Sequence, residues 1–263
     1  MKAGKSGKGR SQKRRPAAYA TPALEKGLDI LELLAHERDG LTKSEIARSL
    51  NRTVSEIFRM LVCLERRDYI SETAAERYVL SLRLFQLVQE HPPTERLFSE
   101  ALPRMHLLVE KIQQSCHLGV LDSARIVILA QASGSGSIGF YVKAGSNVDL
   151  IESATGQVIL AYLPKETLQR TLKEWEMESG HSVPSDLPRH LDRIRRRGSE
   201  KRASYQIRGI INISSPIRDA QGHVVAALTV PYIQRLHDGI STDEVERALV
   251  EATQEISAAI GLQ

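Results

Sequence analysis

The sequence predicts an α+β protein with two domains. The first is a small helix-turn-helix followed by a β-hairpin, and the second is a larger domain of helices and antiparallel strands. A length of 263 residues suits two domains, because domains commonly hold about 100–200 residues. Two helix-capping patterns lie close together in the first part. From residue 115 onward the apolar pattern changes from a helical period to short runs typical of strands.

The first twenty residues form a basic tail without any acidic residue, and we expect residues 1–20 to be disordered. Subtracting the tail charge of +7 from the net charge of +4 leaves −3 for residues 21–263. The basic isoelectric point is therefore no argument for nucleic-acid binding by the folded part. The tail either adds salt-dependent contacts to phosphate or only keeps the chain in solution. Its charges are Lys2, Lys5, Lys8, Arg10, Lys13, Arg14 and Arg15.

Composition argues against several other classes of protein. No apolar run reaches the roughly 18 residues of a membrane span, and the start lacks the apolar core of a secretory signal. The only cysteines are Cys63 and Cys116, which form no paired zinc motif. The Gly-rich segment 133–137 lacks the Lys-Ser/Thr ending of a phosphate loop and is more typical of a loop over a pocket. We therefore expect a cytoplasmic protein with no cofactor, no metal and no membrane contact.

The first folded helix is expected to begin at Thr21-Pro22, with Thr21 as N-cap and Pro22 at the first position. Asp39 and Gly40 follow its end. Its apolar stripe is broad enough to serve both a small core and a partner chain. The stripe comprises Leu24, Leu28, Ile30, Leu31, Leu33 and Leu34.

Two capping boxes eleven residues apart predict the next two helices. Thr42 with Glu45, and Thr53 with Glu56, each fit the S/T-x-x-E pattern that opens a helix. Asn51 lies between them and tolerates the left-handed conformation that ends a helix. Two short helices joined by such a turn make a helix-turn-helix.

The second of these helices carries different chemistry on its two sides. At about 100° per residue, an apolar side packs on the first helix, and a small polar and basic side faces outward. Arginine suits the outward side because its planar fork pairs with guanine edges or phosphate oxygens. The alternative is an ordinary solvated helix face. The apolar side holds Val54, Ile57, Leu61 and Leu64, and the outward side Ser55, Arg59, Cys63 and Arg66.

Two short alternating runs near residues 68–71 and 77–80 predict a hairpin, which after a helix-turn-helix is the wing of a winged helix. Arg77 in this wing either reaches phosphate or pairs with Glu72 or Glu76. Glu56 is interpreted as a capping residue, although it could also accept from a cytosine amino group. The predicted DNA-contacting residues are Lys43, Arg52, Thr53, Ser55, Glu56, Arg59, Arg66 and Arg77.

The predicted domains are a winged helix at residues 21–81, a linker helix at 82–93 broken by two prolines, and a second domain at 94–263. In the second domain, Thr94 is expected to cap a long helix to about residue 114. Strands are expected at 117–121, 125–130, 138–142, 210–217 and 223–230, with a turn at 219–222. Helices are expected at 153–163, 164–178, 187–198 and 242–260.

With these elements in place, the sequence resembles the IclR family of bacterial transcription regulators. Three segments carry the resemblance: residues 28–47, residues 150–163 with Ser153 and Gly156, and residues 209–230. The resemblance implies a C-terminal GAF-like α/β effector-binding domain. It also implies homodimers, often paired into homotetramers, that bind double-stranded operator DNA.

The resemblance further implies an effector pocket in the second domain. Three positions depart from the common family pattern: many relatives have Cys where Asn212 stands, Ser where Pro231 stands, and an acidic residue where Arg202 stands. The effector of a relative therefore does not transfer to this chain. The implied pocket residues are Ser137, Phe140, Val148, Ala154, Thr155, Ile210, Asn212, Thr229 and Pro231.

The residues of this pocket favour a small organic carboxylate. A helix that begins after Ser153 presents free backbone N–H groups, which attract an anion. Asn212 and Thr229 add neutral hydrogen-bonding groups, and Phe140 with Ile210 adds apolar wall. The alternative is that Ser153 is only an N-cap over a packed core.

Two other functions would each need a pattern that the sequence lacks. An enzyme would need a nucleophile beside a base, but adjacent Cys116 and His117 on a strand point to opposite faces. His106 and His223 lack an acidic partner at a recognisable spacing. A metal sensor would need ligand spacing that the scattered histidines do not show. We therefore expect a regulator without catalytic residues.

Overall fold

The computed structural model describes residues 21–90, 92–134, 139–234 and 239–261. The predicted basic tail, residues 1–20, lies outside the described residues. The chain forms two compact units that divide between His91 and Pro92. Each unit is described by itself.

The N-terminal unit is a winged helix-turn-helix, as predicted. Its hairpin is antiparallel, with Ser71 opposite Val79, and Leu41 pairs with Tyr78 to extend it. The wing is therefore tied to the segment before the second helix. The elements are α1 (Pro22–Leu34), α2 (Lys43–Ser49), α3 (Val54–Arg66), β1 (Ile70–Glu72), β2 (Tyr78–Leu80) and α4 (Arg83–Gln89).

Both capping boxes form reciprocally. The Thr53 hydroxyl accepts from the Glu56 backbone N–H at 3.3 Å, and the Glu56 carboxylate accepts from the Thr53 N–H at 2.9 Å. The same pair of bonds opens α2. Asn51 ends the turn with a positive φ of 52°, as its position predicts. Helix α1 begins at Pro22 with Thr21 at the N-cap position, as predicted, but the Thr21 side chain makes no capping bond; a proline at the first position leaves one fewer N–H to cap.

A small aliphatic core fixes the three helices. Ile57 and Leu61 of α3 are buried against α1 and α2, so the apolar side predicted for α3 is the packed side. Val54, predicted on the same side, is 40% exposed because it lies in the first turn. The α1 stripe is broader than the core needs, and Leu24 is 61% exposed.

The C-terminal unit is a six-stranded antiparallel sheet in the order β5-β4-β3-β8-β7-β6. One core packs α5 and α9 on one face, and a second packs α6, α7 and α8 on the other. The strands are β3 (Cys116–Asp122), β4 (Arg125–Ala132), β5 (Asn147–Val148), β6 (Glu200–Ala203), β7 (Ile210–Arg218) and β8 (Val224–Ile233). The helices are α5 (Pro92–Ile112), α6 (Ala154–Tyr162), α7 (Lys165–Ser179), α8 (Leu187–Arg197) and α9 (Thr242–Gly261).

The start of α6 is held tightly against the preceding segment. Ser153 caps it by accepting from the Gly156 N–H at 2.9 Å. A Cβ placed on Gly156 would lie 2.1 Å from the Leu150 carbonyl oxygen. Only glycine therefore fits at this point.

The prediction and the structure differ at several elements, and the two-residue strand β5 was also not predicted. The strand predicted at 138–142 is absent from residues 139–142, where the Gln131 side chain bonds the Phe140 carbonyl and the Val142 N–H in place of a neighbouring strand. Ile138 lies outside the described residues. The edge strand β6 was missed because its sequence is mostly charged. The long helix begins at Pro92 rather than after Thr94, since proline is tolerated in a first turn.

An ion cluster joins α8, β6 and α9 through Glu246. Arg197 donates twice to its carboxylate, each at 2.9 Å, and Lys201 lies at 2.7 Å. Burial alone would raise the pKa of Glu246, but the bonds from Arg197, Lys201 and Ser199 outweigh it and lower the pKa to about 2. The carboxylate is therefore anionic at neutral pH and holds three elements together.

Candidate functional site

The outward face of α3 has the composition predicted for it. Ser55, Arg59 and Arg66 are exposed. Among the residues that the structure describes, neither arginine has an ion-pair partner. Two guanidinium groups on a rigid helix are thus free to contact a polyanion.

Two other predicted contact residues brace the domain. Lys43 Nζ lies 3.6 Å from a Glu72 carboxylate oxygen, which links α2 to the wing. Arg52 Nη2 donates to Asp29 at 3.0 Å, which links the turn to α1. Both side chains are partly exposed. Their charges flank α3 while their partners fix their positions.

Arg77 holds the base of the wing. Its Nη2 donates to the Gly40 carbonyl at 2.9 Å and lies 3.1 Å from Glu45. Its carboxylate partner is therefore Glu45 and neither Glu72 nor Glu76, the two partners weighed from the sequence. The Arg77–Glu45 pair could not be predicted from the spacing of the two residues in the sequence, because the pair forms only when the wing folds back on α2.

Glu56 serves as the capping partner of Thr53, as interpreted from the sequence. Hydrogen bonds from the Thr53 backbone and side chain, and from Lys26, lower the pKa of Glu56 to about 2. Lys26 Nζ lies 3.3 Å from it. Both Thr53 and Glu56 are exposed at the start of α3, where a helix docked in a groove makes its base contacts.

An open apolar groove of about 550 Å³ runs between α1 and α3 and reaches α4. Leucine, methionine and small residues line most of it. Its apolar lining includes Leu24, Leu28, Leu31, Met60, Leu64 and Leu84, and Arg59 of α3 lies at its border. The broad stripe of α1 thus leaves apolar surface uncovered in the isolated chain.

In the C-terminal unit, the sheet register brings several predicted pocket residues together. Ile210 and Asn212 are two residues apart on β7, so their side chains point to the same face of the sheet. Asn212 lies opposite Pro231 of β8. Thr229 lies two residues before Pro231, on the same face. Thr155 reaches this face from the first turn of α6, with its hydroxyl 2.8 Å from that of Thr229.

The remaining predicted pocket residues border this face. Ala154 is buried at the start of α6. Val148 of β5 pairs with Ile126, which packs in the core beneath α6. Phe140 is half-buried in the segment that Gln131 holds. Ser137 lies outside the described residues.

A chain of buried hydroxyl groups crosses this face and has a defined direction. Ser214 donates to the Leu228 carbonyl at 3.4 Å, and Thr229 donates to Ser214 at 2.8 Å. Because the Thr229 proton is used in this way, Thr155 donates to Thr229. The Nε2 atom of His117, 3.5 Å from the Thr155 oxygen, must then carry a hydrogen.

His117 is therefore a neutral imidazole with a free acceptor. Burial lowers its pKa to about 4. With the hydrogen on Nε2, Nδ1 is a lone-pair acceptor, and it is buried without a partner among the described residues. The Ser115 hydroxyl, two residues earlier, is also buried and unpartnered there. From the sequence, His117 was only a candidate catalytic base, because its pairing with Thr229 appears only in the sheet register.

Cys116 and His117 point to opposite faces, as predicted. The Cys116 sulfur lies 3.8 Å from the Met105 carbonyl in the α5 core, and burial raises the pKa of its thiol to about 12. The two residues therefore form no nucleophile and base pair. Within residues 21–261, as far as they are described, no three His, Cys, Asp or Glu side chains are grouped to hold a metal ion.

The helices in the described part of the chain include none with the length and apolarity needed to cross a bilayer.

A winged helix-turn-helix with exposed arginines on its third helix, followed by a domain with a buried cluster of polar side chains, defines a DNA-binding transcription regulator of the sensor type. Residues 23–74 match the IclR helix-turn-helix domain, and residues 94–258 match the domain described as bacterial transcriptional regulator IclR C-terminal. The chain belongs to the IclR family.

Similar proteins agree with this class. The HTH-type transcriptional regulator BhcR of Paracoccus denitrificans is 28% identical over 240 residues, which is 89% of this chain and 86% of that protein. The crystal structure of Thermotoga maritima IclR has a TM-score of 0.72 and 26% identity, covering 92% of this chain and all of that one. An IclR homolog from Microbacterium hydrocarbonoxydans, solved with 4-hydroxybenzoate, has a TM-score of 0.74 at 21% identity, covering 90% of this chain and 98% of that one.

Proposed function

We propose that this regulator reads operator DNA with α3 in the major groove and senses a small organic carboxylate in its C-terminal unit. The observation that carries the DNA part is the pair of unpaired, exposed guanidinium groups of Arg59 and Arg66 on one face of α3. Ser55 lies on the same side of α3, in its first turn. An arginine fork to a guanine edge is the commonest base-specific contact.

The braced residues take the flanking role. Lys43, Arg52 and Arg77 keep part of their side chains exposed beside α3 and the wing. Their fixed positions suit contacts to backbone phosphate, which set the register of the domain on DNA. Thr53 and Glu56 occupy the first turn, where Glu56 is available to accept from a cytosine amino group.

The apolar groove between α1 and α3 supports a homodimer. Exposed leucines such as Leu24 and Leu28 line it, and an uncovered groove of this kind is typical of a protein interface. Two copies joined here present two α3 helices to successive major grooves, about 34 Å apart along the duplex. Pairing of two dimers would give a homotetramer.

Light scattering of the purified chain tests the dimer. We expect the double variant Leu24→Glu and Leu28→Glu to be monomeric and to lose operator binding, whereas the matched variant Leu107→Glu, an exposed leucine on α5, keeps its mass and its DNA binding. An unchanged mass for the double variant would show that the groove is not the dimer interface.

The pocket beneath α6 supports the effector part. The Thr155 and Thr229 hydroxyl protons are already donated along the hydroxyl chain, so the free acceptor of His117 suits a donor group on the body of the ligand. The apolar neighbours include Val148 and Ile210. The carboxylate is proposed to lie at the start of α6, where Ser153 takes the Gly156 N–H and the Ala154 and Thr155 N–H groups precede it. The Microbacterium homolog holds 4-hydroxybenzoate, and we propose an organic acid of the same general class here, without assigning that compound.

Calorimetric titration with a panel of aliphatic and aromatic carboxylates, led by 4-hydroxybenzoate and benzoate, tests the pocket. Ser153→Ala and Thr229→Val should weaken binding of the best ligand by about tenfold, the usual loss for a hydrogen bond to a charged or buried group. Thr171→Val changes a buried threonine on α7 and serves as control. Equal affinity in the parent, Ser153→Ala and Thr229→Val would show that the effector does not bind at this site.

Ligand binding here is proposed to change operator affinity. The physical requirement is that the ligand favours one arrangement of the protein over another, because a ligand with no preference shifts nothing. Operator affinity measured with and without saturating ligand therefore reports the coupling directly. Such a regulator acts in the cytoplasm, where its DNA lies.

A further inference from the structure

A cavity lies at the β6 edge of the sheet, beside the predicted effector pocket, and Arg202, which pairs with Asn212, lies at its border. Its volume is about 390 Å³, large enough for a small metabolite. It is bounded by the segment before α6, the start of α8, and β6. None of the residues predicted for the effector pocket lines it.

The positive charges around this cavity are already engaged. Lys201 is held by Asp243 and by Glu246, the latter at 2.7 Å. Arg202 donates to the Ile151 carbonyl at 3.2 Å and lies 3.7 Å from Glu152. Neither cation is left to attract an anionic ligand.

Two side-chain acceptors at the cavity are not engaged by the described residues, the Gln157 amide oxygen and the Asp186 carboxylate. Gln157 is 5% exposed and donates through Nε2 to the Ile151 carbonyl at 2.7 Å, but its Oε1 has no partner among the described residues. Asp186 precedes α8 without capping it. No ion pair to Asp186 is formed by the described part of the chain. The amide oxygen and this carboxylate are therefore open to a donor.

Glu200 supplies a carboxylate at the inner side of the cavity. It is 8% exposed, and Nε2 of His190 lies 3.3 Å from its Oε1. Arg193 donates to Nδ1 of His190 at 2.6 Å, which places the imidazole hydrogen on Nε2. That N–H is misaligned for a hydrogen bond to Glu200. The carboxylate thus keeps its hydrogen-bonding capacity for a ligand.

From this surplus of buried acceptors and unpaired negative charge, we propose that the cavity binds a small organic ammonium ion. Its N–H groups donate to Glu200 and Gln157, and its charge balances Glu200 and Asp186. Charge-assisted hydrogen bonds to a buried carboxylate are the strong ones in such a site. A metal ion suits the cavity poorly, because the described residues place no three ligand side chains together.

Calorimetric titration of the full chain with 1,4-diaminobutane tests the proposal, with 1,4-butanediol and succinate as uncharged and anionic analogues of similar length. We expect the diamine to bind and the two analogues not to. Glu200→Gln should weaken diamine binding by about tenfold or more. Glu178→Gln, which removes an exposed carboxylate on α7, should leave it unchanged.

A second variant keeps the test decisive if Glu200→Gln folds poorly. Asp186→Asn alters an exposed carboxylate that forms no ion pair with the residues that the structure describes, and it too should weaken binding of the diamine. The proposal is overturned if the diamine does not bind the parent, if both variants bind it as the parent does, or if succinate binds in its place. The readout does not involve operator DNA, so its failure leaves the regulatory proposal intact.

Discussion

Replacing His117 with glutamine should remove a specific pH dependence from the stability of the C-terminal unit. In the folded chain, burial lowers the pKa of His117 from its ordinary value of 6.5 to about 4. Between these two values the unfolded chain binds the proton and the folded chain does not. Stability therefore rises with pH across this window and is lost as pH falls from 6.5 towards 4.

The size of the effect follows from the two pKa values. One pKa unit corresponds to about 1.4 kcal/mol. At pH 5 the parent should have lost about 2 kcal/mol of unfolding free energy through His117, and by pH 4 about 3 kcal/mol. For a unit of this size, the loss at pH 5 lowers the melting temperature by about 4–8 °C. Glutamine retains a donor for Thr155 but does not titrate.

Thermal unfolding followed by circular dichroism at pH 7.5 and pH 5 measures this difference. Other groups titrate as well, but their contribution is common to the parent and to His117→Gln and cancels in the comparison. His106→Gln, an exposed histidine on α5, should behave as the parent. Parallel pH curves for the parent and His117→Gln would mean that His117 is not held neutral, and the acceptor assigned to Nδ1 would be wrong.

Three further changes test other parts of the structure. Thr53→Ala should destabilise the N-terminal unit by about 1 kcal/mol in urea unfolding, while Thr53→Ser keeps the cap; equal loss in both would contradict the capping role. Gly156→Ala should cost more than about 3 kcal/mol, or prevent folding, because its Cβ meets the Leu150 carbonyl; a normal melting temperature would contradict this packing. Glu246→Gln should lose roughly 2–3 kcal/mol at pH 7, because the lowered pKa of this carboxylate adds stability above pH 4.5 that is lost as pH falls towards 2; a gap from the parent that does not narrow in acid would contradict the assignment.

Local patterns predicted much of the N-terminal unit. Both capping boxes depend on two residues three apart, and the left-handed conformation of Asn51 depends on one residue. A short stretch of sequence is therefore enough to predict each of these features. The turn at Asp219 to Gly222 is of the same kind, with Gly222 donating to the Asp219 carbonyl at 3.0 Å. The side of α3 that packs on the core was also predicted correctly, from the helical spacing of its apolar residues.

Features that depend on sheet register could not be predicted in this way. The edge strand β6 is charged along its length, and only its pairing with β7 makes it a strand. His117 belongs to the pocket because it lies opposite Thr229, about a hundred residues away along the chain. Arg77 pairs with Glu45 because the wing returns to α2. Each of these contacts joins segments whose separation no local pattern encodes.

The most direct test of the regulatory account is the affinity of the chain for its operator when the α3 arginines are removed. A binding sequence is selected from random duplexes and compared with the DNA upstream of the gene, and affinity is measured by fluorescence anisotropy at fixed salt. The double variant Arg59→Ala and Arg66→Ala should bind at least about 100-fold more weakly. Arg170→Ala with Arg189→Ala, which removes the same charge from exposed positions of the C-terminal unit, should bind as the parent does. Unchanged operator affinity in a folded Arg59→Ala and Arg66→Ala variant would contradict the assignment of α3 as the DNA-reading helix.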